Sequence, residues 1–217
     1  MRKKNIAALV TGLLAITGLS VWTGPSARAA TAPCDGTYSI AVGGWRSHWW
    51  DDRFFNVTQH VGYPTDIPNG ASTQAGVNEL NRLVREQRAA CPGQHVKMMG
   101  YSMGAAVVHV WVTTNWTSFD NVNAILVADP KRQGPPGADG GTGVFGPAVG
   151  APLAGVDRFF GNVPVKSICT VDYVCDTSAN PLGYPADHIN HYDVDFDGNH
   201  HNDNANEQWY NGVWMPW

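Results

Sequence analysis

The pentapeptide Gly100–Gly104, with the sequence G-Y-S-M-G, constrains the fold of this chain more than any other feature. The strand-like residues 95–99 precede it, and the apolar run 105–111 after it is long enough to begin a helix. A G-x-S-x-G sequence between a strand and a helix forms a sharp turn that holds its serine exposed and strained. A side chain in place of either glycine would clash where strand and helix pack. The motif therefore predicts a strand–turn–helix unit with Ser102 at its apex.

The amino terminus has the pattern of a secretory signal peptide. Residues 2–4 are basic, residues 6–22 are largely apolar, and Ala27–Ala29 offers the small-x-small pattern that signal peptidase cuts. We therefore expect residues 1–29 to be removed and residues 30–217 to form a secreted domain. An uncleaved membrane anchor is the alternative, but the small residues fit cleavage better. The mature part contains no run that is apolar for long enough to cross a bilayer.

The size and charge of the mature chain limit the classes of protein it can be. About 188 residues suit a single domain with a sizeable core. The net charge of −4 and the charged fraction of 15% give no basic patch for nucleic acid. We expect a monomer that does not bind nucleic acid.

All four cysteines follow the predicted cleavage site. An even number of cysteines in an exported chain predicts two disulfides, for which three pairings exist. The pairing that keeps the close pair local joins Cys34 to Cys91 and Cys169 to Cys175. The chain-entropy estimate for such loops is about 4 kcal/mol for the long one and about 2.5 kcal/mol for the short one.

Apolar runs of strand length alternate with helical patterns along the mature chain. The Gly- and Pro-rich segment 135–152 is predicted to be loop. Alternating strands and helices predict a doubly wound, mostly parallel sheet, and together with the serine turn they predict a single α/β-hydrolase domain without a large lid. The predicted strands are 37–42, 95–99, 122–128 and 163–168, and the predicted helices are 72–90 and 105–114.

A serine hydroxyl needs a base in hydrogen-bond reach and a third group that orients the base. On the α/β-hydrolase fold the chain order is serine, acid, histidine. Asp172 is the preferred acid because it follows a late strand and lies within the predicted Cys169–Cys175 loop. Asp176 is a weaker choice, and Asp129 ends an earlier strand and is read as structural.

The histidine that serves as base should lie after the acid. His188 is preferred and His191 is the alternative, because both fall in the segment that follows Asp172. His109 lies on the helix after the serine turn and is expected to be a packed helix residue.

An oxyanion hole requires backbone N–H groups directed at the developing charge. One is expected from Met103, which follows the serine, and the other from Trp45, with Gly44 as second choice. The aromatic residues beside Trp45 are expected to pack in the core or to form an apolar floor for the substrate. These neighbours are Trp49, Trp50 and Phe54.

The chain resembles the cutinase family of serine esterases over most of its mature length. Cys91-Pro92 followed by a short strand and Gly100–Ala105 looks like the family's nucleophile segment, with Met103 where the family has Gln. Cys169–Cys175 looks like its acid loop. The resemblance implies Asp172 as acid, His188 as base, the same cysteine pairing and no metal. The family has a tyrosine three residues after its histidine, whereas here Tyr192 lies four residues after His188 and directly after His191.

Further residues are similar to the actinobacterial cutinase-like branch, which is akin to the PE-PPE and lysin B esterases. They are Tyr63-Pro64 and residues 128–133. This resemblance implies a secreted carboxylic ester hydrolase that works through an acyl-enzyme. Its substrates are expected to be lipid, short-chain or polyester esters, met at a lipid or polymer surface. Two alternatives stay open: an acyltransferase that uses the same three residues, and a catalytically silent module that binds polymer or lipid.

The sequence D-V-D-F-D-G at residues 193–198 matches the first half of a calcium-binding loop. Asp193, Asp195 and Asp197 would supply the carboxylates. Because the twelfth position is Asn204 where such loops have a bidentate Glu, we expect a solvated polar turn and no cofactor, with calcium binding as the alternative.

Overall fold

The computed structural model of the chain describes residues 34–47, 57–190, 192–201 and 205–211. These residues form one sheet of six strands together with four α-helices. The strands are β1 (Thr37–Val42), β2 (Gln59–His60), β3 (His95–Tyr101), β4 (Val122–Val127), β5 (Val165–Cys169) and β6 (Asn206–Tyr210). The helices are α1 (Gly70–Ala90), α2 (Met103–Asn115), α3 (Gly141–Val149) and α4 (Tyr184–Asn190).

The strands lie in the order β2-β1-β3-β4-β5-β6, and only β6 runs antiparallel to its neighbour. The mostly parallel sheet predicted from the sequence is therefore confirmed. Beginning at β1, the chain crosses to one side to form β2 and then returns to form β3 on the other side. In open parallel sheets, sites form at such a switch point, beyond the carboxyl ends of the strands.

The core occupies both faces of the sheet. Helices α1 and α2 cover one face, where Leu80, Trp111 and Met98 are fully buried. On the other face, Met99 and the neighbouring strand residues pack against a later segment that includes Tyr192, Val194 and Phe196. All six residues of β4 are buried, as expected for a central parallel strand covered on both faces.

The segment 135–152 contains α3, so its prediction as loop is wrong in part. Gly and Pro oppose helix formation, and Pro147 lies inside this helix. Tertiary hydrogen bonds offset that weak local preference. The Thr142 amide and hydroxyl both donate to the Pro130 carbonyl, at 3.1 and 2.6 Å. Local composition could not show these contacts.

Both predicted disulfides are confirmed. Cys34–Cys91 joins the start of the described chain to the end of α1, and Cys169–Cys175 closes a short loop after β5. The second bridge encloses Asp172. Of the helices described here, none combines the length and apolar character needed to cross a membrane.

Candidate active site

Ser102 lies at the sharp turn between β3 and α2. Its φ of 57° and ψ of −124° put a residue with a side chain in the left-handed region, which costs about 1–3 kcal/mol. Its amide donates to the Val127 carbonyl at 2.9 Å, which ties the strained turn to the end of β4. The turn predicted from the pentapeptide is therefore present with the serine at its apex. The expected exposure of the serine is wrong: Ser102 is buried, because the loop at Gly44 and the side chain of His188 pack against it.

The two motif glycines are required by close backbone contacts. A Cβ on Gly100 would lie 2.4 Å from the Gly104 carbonyl oxygen, and a Cβ on Gly104 would lie 2.1 Å from the Val42 carbonyl oxygen. Real Cβ atoms do not approach backbone oxygens so closely. The steric reason given for both glycines is confirmed.

Three side chains from distant parts of the chain meet at this turn. His188 Nε2 lies 2.8 Å from Ser102 Oγ, and His188 Nδ1 lies 2.7 Å from Asp172 Oδ2. An ionised carboxylate only accepts hydrogen bonds, so this contact assigns the proton of a neutral His188 to Nδ1. Nε2 is then free to accept the hydroxyl proton of Ser102. The exposed fraction is 7% for Ser102, 2% for His188 and 0% for Asp172, so this chain of hydrogen bonds is shielded from water.

Asp172 receives more donors than the sequence indicated. The Val174 amide donates to Oδ1 at 2.9 Å, and the Tyr192 hydroxyl donates to Oδ2 at 2.9 Å. Burial and the charge of Asp172 raise the pKa of Tyr192 well above its usual 10. Tyr192 therefore keeps its proton and remains a donor at any pH that the fold tolerates.

The imidazole ring of His188 is held between two tyrosine rings. The centroid of Tyr101 lies 5.1 Å from it and that of Tyr184 lies 4.9 Å from it, with interplanar angles of 21° and 17°. The Tyr101 hydroxyl also donates to the His188 carbonyl oxygen. These contacts fix the orientation of the ring. Sequence reasoning gave no supporting role to Tyr101, Tyr184 or Tyr192, although Tyr101 is part of the pentapeptide and Tyr192 was noted after the histidine.

The predicted oxyanion donors lie beside the serine. Met103 is the first residue of α2, so its N–H has no acceptor within the helix and lies at the positive end of the helix dipole. A Cβ on Gly44 would lie 2.8 Å from Ser102 Cβ, which shows how closely the loop after β1 approaches. Trp45, the next residue, lines the same cavity as Ser102 and Met103.

An apolar cavity of about 280 Å³ opens at Ser102. Residues from 130 to 153 supply one part of its lining, and Trp45, Tyr173 and Tyr184 are among the others. None of the described residues that line it carries a charged side chain. We define the pocket wall as Pro130, Thr142, Phe145, Val149 and Leu153.

Large apolar side chains near the cavity are exposed to solvent. Trp45 and Phe145, which line it, are 42% and 49% exposed. Leu182 and Ile189 flank His188 along the chain and are 88% and 46% exposed. Exposed apolar residues of this size around a site are typical of a surface that meets an apolar partner.

The other candidate acids lie in different networks. Asp176 accepts from the Ala138 amide and the Ser178 hydroxyl, and its pKa stays below the usual range because these hydrogen bonds outweigh the effect of burial. Asp129 is buried against His109 rather than His188. The remaining candidates lie outside the described residues: His191, Trp49, Trp50 and Phe54.

The three aspartates of the predicted calcium loop are also engaged by protein groups. Asp195 Oδ1 accepts from the amides of Asp197 and Asn199, and Asp197 Oδ1 lies 2.5 Å from the buried Lys97 ammonium. Asp193 contacts His201 at 3.1 Å. Within the described ranges, no three His, Cys, Asp or Glu side chains are placed to hold one metal ion. Asn204, the twelfth position of the loop, lies outside the described residues.

The parallel sheet and the site at its carboxyl edge define an α/β enzyme scaffold. The sequence model of the cutinase family matches residues 52–197, which is more than half of the 217 residues. The chain therefore belongs to the cutinase family, and this membership supports ester hydrolysis as its activity.

Solved structures of low sequence identity resemble the chain. A cutinase-like protein from Cryptococcus sp. is 20% identical with a TM-score of 0.47, over 73% of this chain and 90% of that protein. The catalytic core domain of an acetyl xylan esterase from Trichoderma reesei is 18% identical with a TM-score of 0.42, over 66% and 88%. Lysin B from mycobacteriophage D29 is 21% identical with a TM-score of 0.35, over 45% and 47%. No curated protein matches the chain in sequence.

Proposed function

We propose that the protein is a secreted serine carboxylic ester hydrolase in which Ser102 is the nucleophile, His188 the base and Asp172 the orienting acid. The observation that carries the proposal is the continuous hydrogen-bond chain from Asp172 through His188 to Ser102, with links of 2.7 and 2.8 Å. Its position beyond the carboxyl ends of parallel strands is where such sites form.

The reaction begins when His188 Nε2 accepts the Ser102 proton as Oγ attacks the ester carbonyl carbon. The backbone N–H groups of Met103 and Trp45 stabilise the negative oxygen of the tetrahedral intermediate. Protonated His188 then donates its proton to the departing alcohol, which leaves an acyl group on Ser102. Water, deprotonated by His188, releases the acid and restores the serine.

Asp172 supports this cycle without changing its own charge. It keeps the proton of neutral His188 on Nδ1 and stabilises the imidazolium that forms when His188 takes the serine proton. Tyr192 and the Val174 amide fix the carboxylate, and the two flanking tyrosine rings fix the imidazole. The site is thus organised before substrate arrives.

The apolar cavity favours the apolar arm of an ester over a charged substrate. Its described lining has no charged side chain, and exposed Trp45, Phe145 and Leu182 offer contacts to a lipid or polymer surface. Secretion is supported by the signal-like residues 1–29 and by the two disulfides, which form in oxidising compartments.

Hydrolysis of p-nitrophenyl butyrate tests the proposal. We expect Ser102→Ala to lower kcat at least roughly a thousand-fold, because Ser102 is the nucleophile that the described part of the chain places against His188 Nε2. Ser118→Ala, an exposed serine near the far end of α2, is the matched control and should keep full activity. Equal activity in both variants, with both folded, would rule out Ser102 as the nucleophile.

A further inference from the structure

A second buried histidine network lies behind the pocket. His109 is on α2, seven residues after Ser102, and is completely buried. Its Nδ1 lies 2.7 Å from Asp129 Oδ2 and its Nε2 lies 2.9 Å from Asp157 Oδ1. Since both ring nitrogens face carboxylate oxygens, both must carry a proton to donate. His109 is therefore an imidazolium clamped between two carboxylates.

The electrostatics agree with this geometry. Burial opposes the charge on His109, but the charges and hydrogen bonds of Asp129 and Asp157 outweigh it and raise its pKa to about 9. The same contacts hold the pKa of Asp157 below its usual range against the effect of burial. Burial lowers the pKa values of Lys131 and Arg132, and the charge of Asp129 opposes that effect. Burial raises the pKa of Tyr210, and the charges of Asp129 and Asp157 also raise it.

The network continues from Asp129 into the pocket wall. Asp129 Oδ1 accepts from the Lys131 amide at 2.9 Å, which fixes the turn that contains Pro130. The Lys131 ammonium donates to the carbonyl oxygens of Leu153, Ala154 and Gly155, at 3.3, 2.9 and 3.1 Å. The cation therefore holds the segment that contains Leu153, while Pro130 and Leu153 both line the cavity.

A second connection runs from Asp157 to the same wall. The Asp157 amide donates to the Lys131 carbonyl at 3.2 Å, so the two acidic ends of the network are also joined through backbone. The Thr142 hydroxyl lies 2.6 Å from the Pro130 carbonyl oxygen and 2.7 Å from that of Gly155. Three parts of the wall, at Pro130, Thr142 and Leu153, are thus tied to one another behind the cavity.

We propose that His109 is a positioning residue for acyl-chain specificity: through Asp129, Asp157 and Lys131 it holds the pocket wall in the place that accepts the acyl chain of the ester. This inference rests on the proposed ester hydrolysis. It assigns a role to a charged cluster whose members are not part of the described cavity lining. An acetyl group is too short to use the wall, whereas an octanoyl chain must pack against it.

The test compares kcat/KM for p-nitrophenyl octanoate and p-nitrophenyl acetate. Asp157→Ala removes one acceptor of His109 at a side chain that is 43% exposed, so the fold should survive. We expect the octanoate-to-acetate ratio to fall at least about five-fold, with acetate hydrolysis within three-fold of the wild type. Asp157→Asn keeps an oxygen acceptor for His109 and should retain most of the ratio. His109→Phe should lower the ratio further if it folds.

The ratio of the two kcat/KM values reports on the pocket wall alone, because a change in Ser102, His188 or Asp172 affects hydrolysis of both esters equally. Amide hydrogen exchange gives a readout that needs no activity: protection of residues 142–155 should fall in Asp157→Ala while β3 and β4 stay protected. An unchanged ratio together with unchanged exchange would overturn the inference. A parallel loss on both esters that follows thermal stability would overturn it too. If the wild type hydrolyses neither ester, the proposed function fails, and hydrogen exchange then decides separately whether His109 holds the wall.

Discussion

Removal of the Tyr192 hydroxyl tests whether Asp172 needs this hydrogen-bond donor in the proposed reaction. The hydroxyl donates to Asp172 Oδ2 at 2.9 Å, on the same oxygen that accepts from His188 Nδ1. A hydrogen bond to a buried charged group contributes about 1.5–3 kcal/mol. If the whole loss falls on the transition state, Tyr192→Phe lowers kcat by roughly 10- to 150-fold at about 1.4 kcal/mol per decade.

The expected effect is on kcat and not on KM, because Tyr192 is not part of the described cavity lining. The ring stays in place in Tyr192→Phe, so its packing against Tyr101 is kept. Besides Asp172, the Thr170 amide, which donates to the hydroxyl at 3.2 Å, loses a partner, and so does Cys175 Sγ, which lies 3.4 Å from it. Thermal unfolding should therefore shift by only a few degrees.

The assay is steady-state hydrolysis of p-nitrophenyl butyrate, with thermal unfolding of each variant. Tyr210→Phe is the matched control, since its hydroxyl donates to Gln208 at 2.8 Å and takes no part in the site. A kcat for Tyr192→Phe within two-fold of the wild type, at unchanged stability, would refute the view that Asp172 needs this donor.

Three other parts of the structure can be tested in the same way. Gly44→Ala should lower kcat about a hundred-fold, because its Cβ would lie 2.8 Å from Ser102 Cβ and displace the nucleophile. Gly62→Ala, with no atom within 4 Å of its Cβ, is the control and should leave kcat unchanged. Equal kcat values for the two variants would argue against close approach of the loop to the serine. The pKa of His109 is raised in the folded state to about 9, so the stability that its charge contributes is fully present below about pH 6.5 and is lost as pH rises through 9. The free energy of unfolding in urea should fall by at most about 3 kcal/mol across that window. A free energy of unfolding that does not change with pH there would contradict the buried imidazolium. The melting temperature should be the same with calcium and with chelator, because Lys97 already pairs with Asp197. A rise of several degrees with calcium would contradict this and would show that the metal displaces the lysine.

The parallel sheet was predictable because its strands leave a strong local signal. The run at 122–127 is apolar except for Asn123, and the structure buries every residue of it. The strand β6 left no such signal, since residues 206–210 are mostly polar and form an edge. Its antiparallel pairing with β5 depends on how the chain returns to the sheet, which local composition does not encode.

The site was predictable where chain order and the disulfide restricted the choice. Ser102 follows from the glycine pattern, and Asp172 is selected by its place after a late strand and within the Cys169–Cys175 loop. His188 and His191 could not be separated from sequence because both satisfy the order rule. The distance of 2.8 Å from Ser102 to His188 exists only in the folded chain.

The supporting residues could not be predicted because their partners are remote in sequence. Tyr192 lies 20 residues from Asp172, and Asp157 lies 48 residues from His109. A histidine on an apolar helix is most often a packed residue, and nothing local shows that two carboxylates will face it. Networks of this kind are set by tertiary structure and then determine which buried polar groups are satisfied.

Labelling with a fluorophosphonate probe shows whether Ser102 is the nucleophile, since the probe reacts covalently with a serine that its neighbours have activated. We expect one probe per folded chain, located at Ser102 by peptide mass spectrometry, with no labelling of Ser102→Ala and much slower labelling of His188→Ala. A folded wild-type protein that stays unlabelled, or that carries the probe on another residue, would contradict it.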